Sequence, residues 1–247
     1  IRINNFAMTT YDEFMKGMSE LIGEGMTKLI IDLRGNSGGI MDAAIRIANE
    51  FLQKSQLIVY TKGVSQPRNE ASANGSGRFL NGDLVILIDE WSASASEILA
   101  GAIQDNDRGT IIGRRSFGKG LVQEQIQFRD GSAIRLSIAR YYTPTGRSIQ
   151  KPYEGGTDNY YRDLSERFNH GEFINADSIQ FADSLEFVTP AGKIVYGGGG
   201  IMPDIFVPLT TDSIHTYYNQ LANKGLIFQF AFEYTDAHRQ ELNRFKD

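Results

Sequence analysis

A serine-rich turn is the first place in this 247-residue sequence where residue types and spacing favour nucleophilic chemistry. Ser92, Ser94 and Ser96 alternate with alanines between an apolar run, Leu84–Ile88, and a helical pattern, Glu97–Gln104. A serine hydroxyl at such a junction lies beside the free N–H groups of the helix N-terminus, which stabilise an anion. Serine is also a good helix N-cap, so the turn alone fits either a nucleophile or a cap.

A lysine between two glycines is the best candidate for a base that would activate such a serine. Lys119 lies in Phe117-Gly118-Lys119-Gly120, where the glycines allow close backbone approach. The amine must be uncharged to accept a proton, and lowering a lysine pKa from ~10.4 to ~7 corresponds to roughly 4–5 kcal/mol. Burial beside Phe117 would favour the neutral amine, and Gln123 is near enough in sequence to orient it by a hydrogen bond. An exposed lysine in a glycine-rich turn is the alternative.

A glycine-rich loop supplies the third part of this chemistry. Arg34–Gly39 follows the apolar run Lys28–Leu33, and the adjacent Gly38 and Gly39 can present backbone N–H groups to a developing oxyanion. Such a loop also fits phosphate binding. It contains neither GxGxxG nor the P-loop GK[ST] pattern, however, so nucleotide binding is the weaker option.

Histidine and cysteine chemistry has less support. None of His170, His215 and His238 lies in a glycine-rich or strand-end context, although members of a Ser–His–Asp triad need not be close in sequence. The sequence has no HExxH-type spacing and no cysteine. These absences argue against a zinc site and exclude disulfides and thiolate nucleophiles.

Composition narrows the class of protein. The chain is 41% hydrophobic and 22% charged, as in ordinary globular proteins, and its net charge of −5 disfavours a bulk nucleic-acid binder. No apolar run approaches the ~18–20 residues of a membrane span. The segment Ile1–Phe6 has no signal-peptide pattern, so we expect a fragment or a processed form cut just before a structured element.

Alternating strands and helices would position the candidate residues. The predicted helices are 10–26, 40–52 and 97–104, and a capping box of Thr10 and Glu13 would begin the first of them. The predicted strands are 28–33, 56–60 and 84–88, of which 28–33 would be covered on both faces. A hairpin is predicted from 123–128 and 133–141. This order predicts parallel strands whose carboxyl ends bear the Gly38 and Ser94 loops, where active sites gather. Residues 62–82 fit a long mobile surface loop, and 211–247 a mainly helical part.

Together these stretches resemble the C-terminal processing (tail-specific) serine peptidases. The matching segments are Leu29–Gly39, Ser92–Ala102, Gly113–Gln123, Tyr142–Gln150 and Gly200–Ile205. The match spans most of Ile1–Val207, and the order and spacing of its segments are highly specific.

The resemblance implies a Ser–Lys catalytic dyad that needs neither a cofactor nor a metal. The site residues that it implies are Ser94 (nucleophile), Lys119 (general base), Gln123 (positioning of the lysine), and Ala95 with Gly38 or Gly39 (oxyanion donors). Of the two glycines, Gly39 is favoured.

The fold implied by the resemblance is α/β, a crotonase- and ClpP-like α/β sandwich with a core of parallel βα units, an added β-hairpin region and a helical C-terminal part. Residues 1–247 would form one peptidase catalytic domain. Within it, residues 150–199 are an insertion that is atypical of the family, resembles Bacteroidetes-type enzymes, and would shape a substrate channel or a subunit contact. Family members usually carry a PDZ module upstream of the segment that resembles Ile1–Ile3, and the resemblance leads us to expect none within residues 1–247.

The activity implied by the resemblance is that of a serine endopeptidase acting on polypeptides near or from exposed C-terminal tails. Nucleic acid would not be a partner, and a homo-oligomer is left open. Family members are exported to the periplasm or cell envelope, and the lack of cysteine agrees with export. Two alternatives share the fold: a catalytically silent peptide-binding or scaffold module, and a crotonase-like acyl-CoA enzyme, which would need a CoA pocket.

Overall fold

The computed structural model describes residues 1–153, 156–179, 185–210, 214–242 and 244, the side chains of 214–216 excepted. The chain divides into two compact units, Ile1–Pro208 and Leu209–Asp247. The candidate nucleophile, base and oxyanion donors all belong to the first unit. No helix within the described ranges is long and apolar enough to cross a membrane.

Strands and short helices alternate through the first unit, and helices follow in the second. The strands are β1 (Lys28–Asp32), β2 (Leu57–Lys62), β3 (Asn69–Ser72), β4 (Asp83–Ile88), β5 (Thr110–Gly113), β6 (Leu121–Gln127), β7 (Ala133–Tyr142), β8 (Glu186–Val188), β9 (Ile194–Tyr196) and β10 (Ile205–Phe206). The helices are α1 (Thr10–Gly23), α2 (Met41–Asn49), α3 (Ala95–Asp105), α4 (Gly156–Asn169), α5 (Ile214–Asn223), α6 (Leu226–Ala237) and α7 (Arg239–Leu242).

A parallel sheet positions the candidate site, as predicted. Its strand order is β1-β4-β5-β10, and the register pairs Ile31 with Ile86. Because β1, β4 and β5 are parallel neighbours, their carboxyl ends lie along one edge of the sheet. The loops that follow these strands, 33–40, 89–94 and 114–120, therefore meet at that edge. The sequence pattern did not predict β5.

A second sheet is antiparallel, with the order β3-β2-β7-β6. The strand predicted at 56–60 was placed among the parallel strands. That placement is wrong, because β2 pairs antiparallel with β3 and β7. The long loop predicted at 62–82 is also wrong, since it contains β3, a polar edge strand without an apolar alternation to reveal it. The predicted hairpin is confirmed as β6 and β7.

The parallel sheet is not covered equally on its two faces. Leu29 and Ile31 of β1 are buried, whereas Ile30 between them is 56% exposed. The prediction that β1 is covered on both faces is therefore wrong. A continuous apolar run does not distinguish a strand buried on two faces from one buried on a single face. The buried side packs with α2 and α3, where Ile47 and Leu99 are fully enclosed.

The first helix begins as predicted but ends earlier. α1 stops at Gly23, and Gly25 closes it at a φ of 87°, a left-handed conformation that glycine adopts without a steric cost. The capping box predicted at Thr10 and Glu13 is wrong, because the N-cap is the preceding residue, Thr9. The Thr10 hydroxyl instead accepts a hydrogen bond from the Ala7 N–H at 2.9 Å.

Residues 150–199 contain more regular structure than the sequence indicated. They include the 14-residue helix α4 and the antiparallel pair of β8 and β9. In the second unit, α5, α6 and α7 agree with the predicted helical character, while residues 211–213, 243 and 245–247 of that prediction lie outside the described chain.

Candidate active site

A cavity of about 720 Å³ brings together five of the residues singled out from the sequence. Ser94, Lys119, Gly38, Gly39 and Gln123 all line it. They come from the loops after β4, β5 and β1, and from β6. Loop residues as far apart in sequence as Gly38 and Lys119 thus converge, as expected for the carboxyl edge of a parallel sheet.

Ser94 is the N-cap residue of α3 and is held in an unusual conformation. Its φ and ψ are 57° and −112°, which side-chain-bearing residues seldom adopt and which persists only where the surroundings enforce it. The side chain remains partly accessible. At the start of an 11-residue helix, the aligned peptide dipoles favour negative charge developing beside Ser94.

The backbone N–H groups near Ser94 differ in whether they are free to donate. The Gly38 N–H donates to Asn36 Oδ1 at 2.9 Å. In the parallel bridge between Gly39 and Phe6, the Phe6 N–H donates to the Gly38 carbonyl and the Phe6 carbonyl accepts the Ile40 N–H. The Gly39 N–H takes no part in the bridge and points away from Phe6. Within the described chain, neither the Gly39 N–H nor the Ala95 N–H has a hydrogen-bond acceptor. Gly39 and Ala95 are therefore the better placed oxyanion donors.

Asn36 joins the glycine loop to the serine turn, a role that the sequence analysis missed. The side chain is fully buried, and its amide group donates to the Ile3 carbonyl at 2.8 Å. The Asn36 carbonyl accepts the Ala93 N–H at 3.0 Å and the Ser96 hydroxyl at 2.9 Å. The loop that carries Gly39 is thereby fixed against the turn that carries Ser94.

Lys119 lies half-buried in the loop between β5 and β6. Its ammonium group makes no hydrogen bond or ion pair with the residues that the structure describes. The ring of Phe117, expected to shield this amine, packs against other partners: the Lys151 ammonium lies 3.8 Å from its centroid, and the Tyr160 ring 5.8 Å away. Shielding of Lys119 by Phe117 stays a prediction.

Glu97 connects the serine turn to the lysine loop. Its carboxylate is fully buried, and Oε2 accepts the N–H groups of Ser94 at 2.8 Å and Lys119 at 2.9 Å. Oε1 accepts the Ser116 hydroxyl at 2.5 Å and the Gly118 N–H at 2.7 Å. Burial raises the pKa of Glu97, while these four hydrogen bonds act in the opposite direction. The signal that could have revealed this residue is the capping-box spacing Ser-x-x-Glu.

Tyr141 makes a second connection between the same two segments. Its buried hydroxyl lies 3.0 Å from the carbonyl oxygen of Ser94 and also donates to that of Lys119. The backbones of the candidate nucleophile and the candidate base are therefore joined once through a carboxylate and once through a phenol.

Gln123 lies exposed on β6, where the pairing with β7 shifts between Val122 and Gln123. The structure shows no hydrogen bond between Gln123 and Lys119, both of which are described. The positioning role assigned to Gln123 stays a prediction. Catalytic hydrogen bonds are often loose before substrate binds.

The residues that line this cavity do not favour a histidine base or a metal site. No histidine, aspartate or glutamate of the described residues lines it. His170 lines a separate cavity of about 550 Å³, and the His215 side chain lies outside the described residues. Within the described ranges, no cluster of three His, Cys, Asp or Glu side chains could hold a metal ion. The geometry favours lysine over histidine as the partner of Ser94.

Sequence comparison places these residues inside a known family. The profile described as Peptidase family S41 matches residues 1–162, which include every candidate site residue. A second profile, described as a family of unknown function (DUF8443), matches residues 217–247.

Individual proteins are similar over the same region. The carboxyl-terminal-processing protease of Synechocystis sp. is 40% identical over 151 residues, which are 61% of this chain and 35% of that protein. The chloroplastic carboxyl-terminal-processing peptidase 1 of Arabidopsis thaliana is 31% identical over 164 residues, 66% of this chain and 33% of that protein. A solved photosystem II D1 C-terminal processing protease matches with 28% identity and a TM-score of 0.60, over 85% of this chain and 43% of its own. The chain spans about a third of the length of the curated relatives it matches.

Proposed function

This chain belongs to peptidase family S41, and from that premise we propose that it is a serine endopeptidase with a Ser94–Lys119 dyad. The observation that carries the proposal is that both side chains line one cavity while their backbone N–H groups bind the same carboxylate oxygen of Glu97. Because the backbones of the nucleophile and the base are bonded to one buried group, the distance and orientation between them are fixed.

The first step is attack of Ser94 Oγ on a peptide carbonyl carbon. The uncharged Lys119 amine accepts the hydroxyl proton as the new C–O bond forms, and the carbonyl electron pair moves to oxygen. The N–H groups of Ala95 and Gly39 hold this oxyanion, and one such donor is typically worth ~2.7–4 kcal/mol in the transition state.

The intermediate then collapses to an acyl-enzyme. Protonated Lys119 gives its proton to the leaving amine as the C–N bond breaks. Water attacks the ester with Lys119 again as the base, which releases the new carboxyl end and restores Ser94. No cofactor enters either step.

The charge of the cavity favours substrates cleaved near their C-terminal ends. Arg135 is its cationic lining residue besides Lys119, which must be uncharged to act as the base, and the described lining contains no Asp or Glu although the chain carries a net charge of −5. A terminal carboxylate is attracted to such a cavity. The substrate we propose is a polypeptide with an accessible C-terminal tail, met in the periplasm or cell envelope.

Two rival functions make different predictions. A silent peptide-binding module of the same fold would bind polypeptides without cleaving them, and an acyl-CoA enzyme has no use for a Ser–Lys pair. Covalent labelling by a serine-directed fluorophosphonate distinguishes both from a peptidase, because only an activated serine reacts.

The decisive experiment compares cleavage of an unfolded protein by the wild type and by site variants. We expect Ser94→Ala and Lys119→Arg to abolish cleavage, since an arginine side chain keeps its proton at all working pH values. Ser37→Ala, which changes an exposed serine of the same cavity, should leave cleavage intact. Full activity of folded Lys119→Arg would overturn the proposal.

A further inference from the structure

We infer that the segment after the second sheet acts as a clamp on the Lys119 loop, with Arg167 as a positioning residue. The clamp consists of residues 150–153 and 156–173. The inference rests on the proposed function, because that function gives Lys119 its role as the base.

Arg167 holds the loop just before Lys119. The side chain belongs to α4 and is 5% exposed. Its two terminal nitrogens donate to consecutive main-chain carbonyls, Nη2 to that of Arg115 at 2.8 Å and Nη1 to that of Ser116 at 3.1 Å. The planar guanidinium fork thereby fixes the path of two successive peptide units, which a single lysine ammonium cannot do.

Glu172 fixes the orientation of that guanidinium. Its Oε1 accepts Arg167 Nε at 2.8 Å, and both of its oxygens accept the Arg115 side chain, at 2.8 and 2.5 Å. Both ion pairs are almost wholly buried. Hydrogen bonds between charged groups are stronger than neutral ones and are screened little when buried. The group that holds the loop is therefore itself rigidly held.

The start of the clamp holds the loop around and after Lys119. The Lys151 N–H donates to the Gly118 carbonyl at 3.0 Å, and Gln150 Oε1 accepts the Gly120 N–H at 2.8 Å. The Lys151 ammonium also lies over the Phe117 ring. Every residue from 115 to 120 except Lys119 thus contacts the clamp, and the Lys119 backbone is bonded to Glu97 and Tyr141.

The clamp influences the reaction by fixing the backbone position of Lys119 relative to Ser94. The clamp does not line the cavity with a side chain of its own, so it acts only through the backbone that carries Lys119. A displacement of about 1 Å between reacting groups can lower a rate by about 10²-fold. Loss of Arg167 should therefore reduce turnover without weakening substrate binding.

The test measures kcat, KM and the pH profile on a peptide that the wild type cleaves and Ser94→Ala does not. Arg167→Met should lower kcat by about 10- to 100-fold, leave KM within about two-fold and displace the acid limb of the kcat profile. Arg167→Lys should be intermediate. Lys193→Met is the matched control, because it removes the 3.1 Å ion pair with Asp204 without a contact to the loop.

Two further readouts separate positioning from general damage. Rates are normalised to active sites titrated with the fluorophosphonate, and amide hydrogen exchange is followed in residues 116–120, where Arg167→Met should exchange faster than Lys193→Met. The inference would be overturned if Arg167→Met had the same normalised kcat, pH profile and hydrogen exchange as Lys193→Met. If Arg167→Met does not fold, the same measurements are made on Arg167→Lys. A wild type that cleaves nothing would overturn the proposed function instead, whereas the exchange readout still tests the clamp.

Discussion

Gly38 lies so close to Ser94 that a Cβ atom added at position 38 would stand 2.7 Å from the Cβ of Ser94. The same atom would come within 2.6 Å of the Ala93 carbonyl oxygen and 2.9 Å of the Ala95 nitrogen. No side chain fits between these two backbones. The glycine loop and the serine turn are therefore packed directly on each other, which fixes the proposed oxyanion donor relative to the proposed nucleophile.

Replacement of Gly38 by alanine should remove most of the activity. The added methyl group must push the Ser94 turn away, and the φ of 99° at Gly38 adds backbone strain of about 1–3 kcal/mol. We expect a fall of about 10²-fold in kcat/KM together with a lower melting temperature. Gly35→Ala is the control, because Gly35 also has a positive φ of 72° but open space around it. Equal activity losses in the two variants would show that strain alone, not contact with Ser94, is responsible.

Removal of the Tyr141 hydroxyl should loosen the link between nucleophile and base. Tyr141→Phe removes the side-chain donor to the Lys119 carbonyl oxygen, at a cost of about 1–3 kcal/mol in unfolding free energy, whereas the Ser94 carbonyl still accepts the Glu97 and Ile98 N–H groups. Turnover should fall while substrate binding changes little. Tyr142→Phe, which alters a neighbouring ring stacked on Tyr60, serves as the control in denaturant unfolding and steady-state assays. Unchanged kcat in Tyr141→Phe would show that Glu97 alone suffices to hold the two segments.

Local sequence patterns predicted the loops of Ser94, Lys119 and Gly38 because the residue types there are restricted by chemistry and by backbone conformation. Glycine is required where φ is positive or another backbone approaches, and such constraints remain visible in the sequence. The same reasoning located the parallel sheet. The likeness of the core to crotonase and ClpP folds, and the roles of the site residues, stay predictions.

Long-range partners could not be predicted in the same way. The Tyr141 hydroxyl bonds to a residue 47 positions earlier, and Glu97 binds N–H groups up to 22 positions later. Nothing in the local pattern of either residue distinguishes it from a core tyrosine or a capping glutamate. The antiparallel pairing of β2 likewise depends on β3, whose sequence shows no alternation of apolar and polar residues. Pairing of distant segments is set by tertiary packing, which a single sequence does not display.

Titration of Glu97 should leave a signature in the pH dependence of stability. Burial raises the pKa of this carboxyl above its ordinary value of 4.5, so in the window above 4.5 the folded protein binds a proton more strongly than the unfolded chain does. The stabilisation is complete below that window and is lost as pH rises through the folded pKa. Glu97→Gln lacks this titration. The unfolding free energy of the wild type minus that of Glu97→Gln, from urea denaturation, should therefore decrease as pH rises. An increase with pH would mean that the four hydrogen bonds outweigh burial.

Arg135 should select substrates by their terminal charge. It lines the cavity from β7, and its guanidinium donates only one long hydrogen bond, 3.2 Å to Gln125 Oε1, within the described structure. A substrate carboxylate would gain a charge-assisted hydrogen bond of about 1.5–3 kcal/mol there, equivalent to roughly ten-fold or more in binding. We expect the wild type to cleave a peptide acid with a lower KM than the same peptide amide.

The discriminating variant is Arg135→Gln, which should raise KM for the acid about ten-fold and leave the amide unchanged. Arg140→Gln removes another exposed arginine from β7, one that does not line the cavity, and controls for the change in net charge. An equal effect of Arg135→Gln on the acid and the amide would place the carboxylate elsewhere. Lys119 must be uncharged when it acts as the base, so it cannot attract a carboxylate in place of Arg135. In that case the group that recognises a C-terminal carboxylate would have to lie outside this cavity.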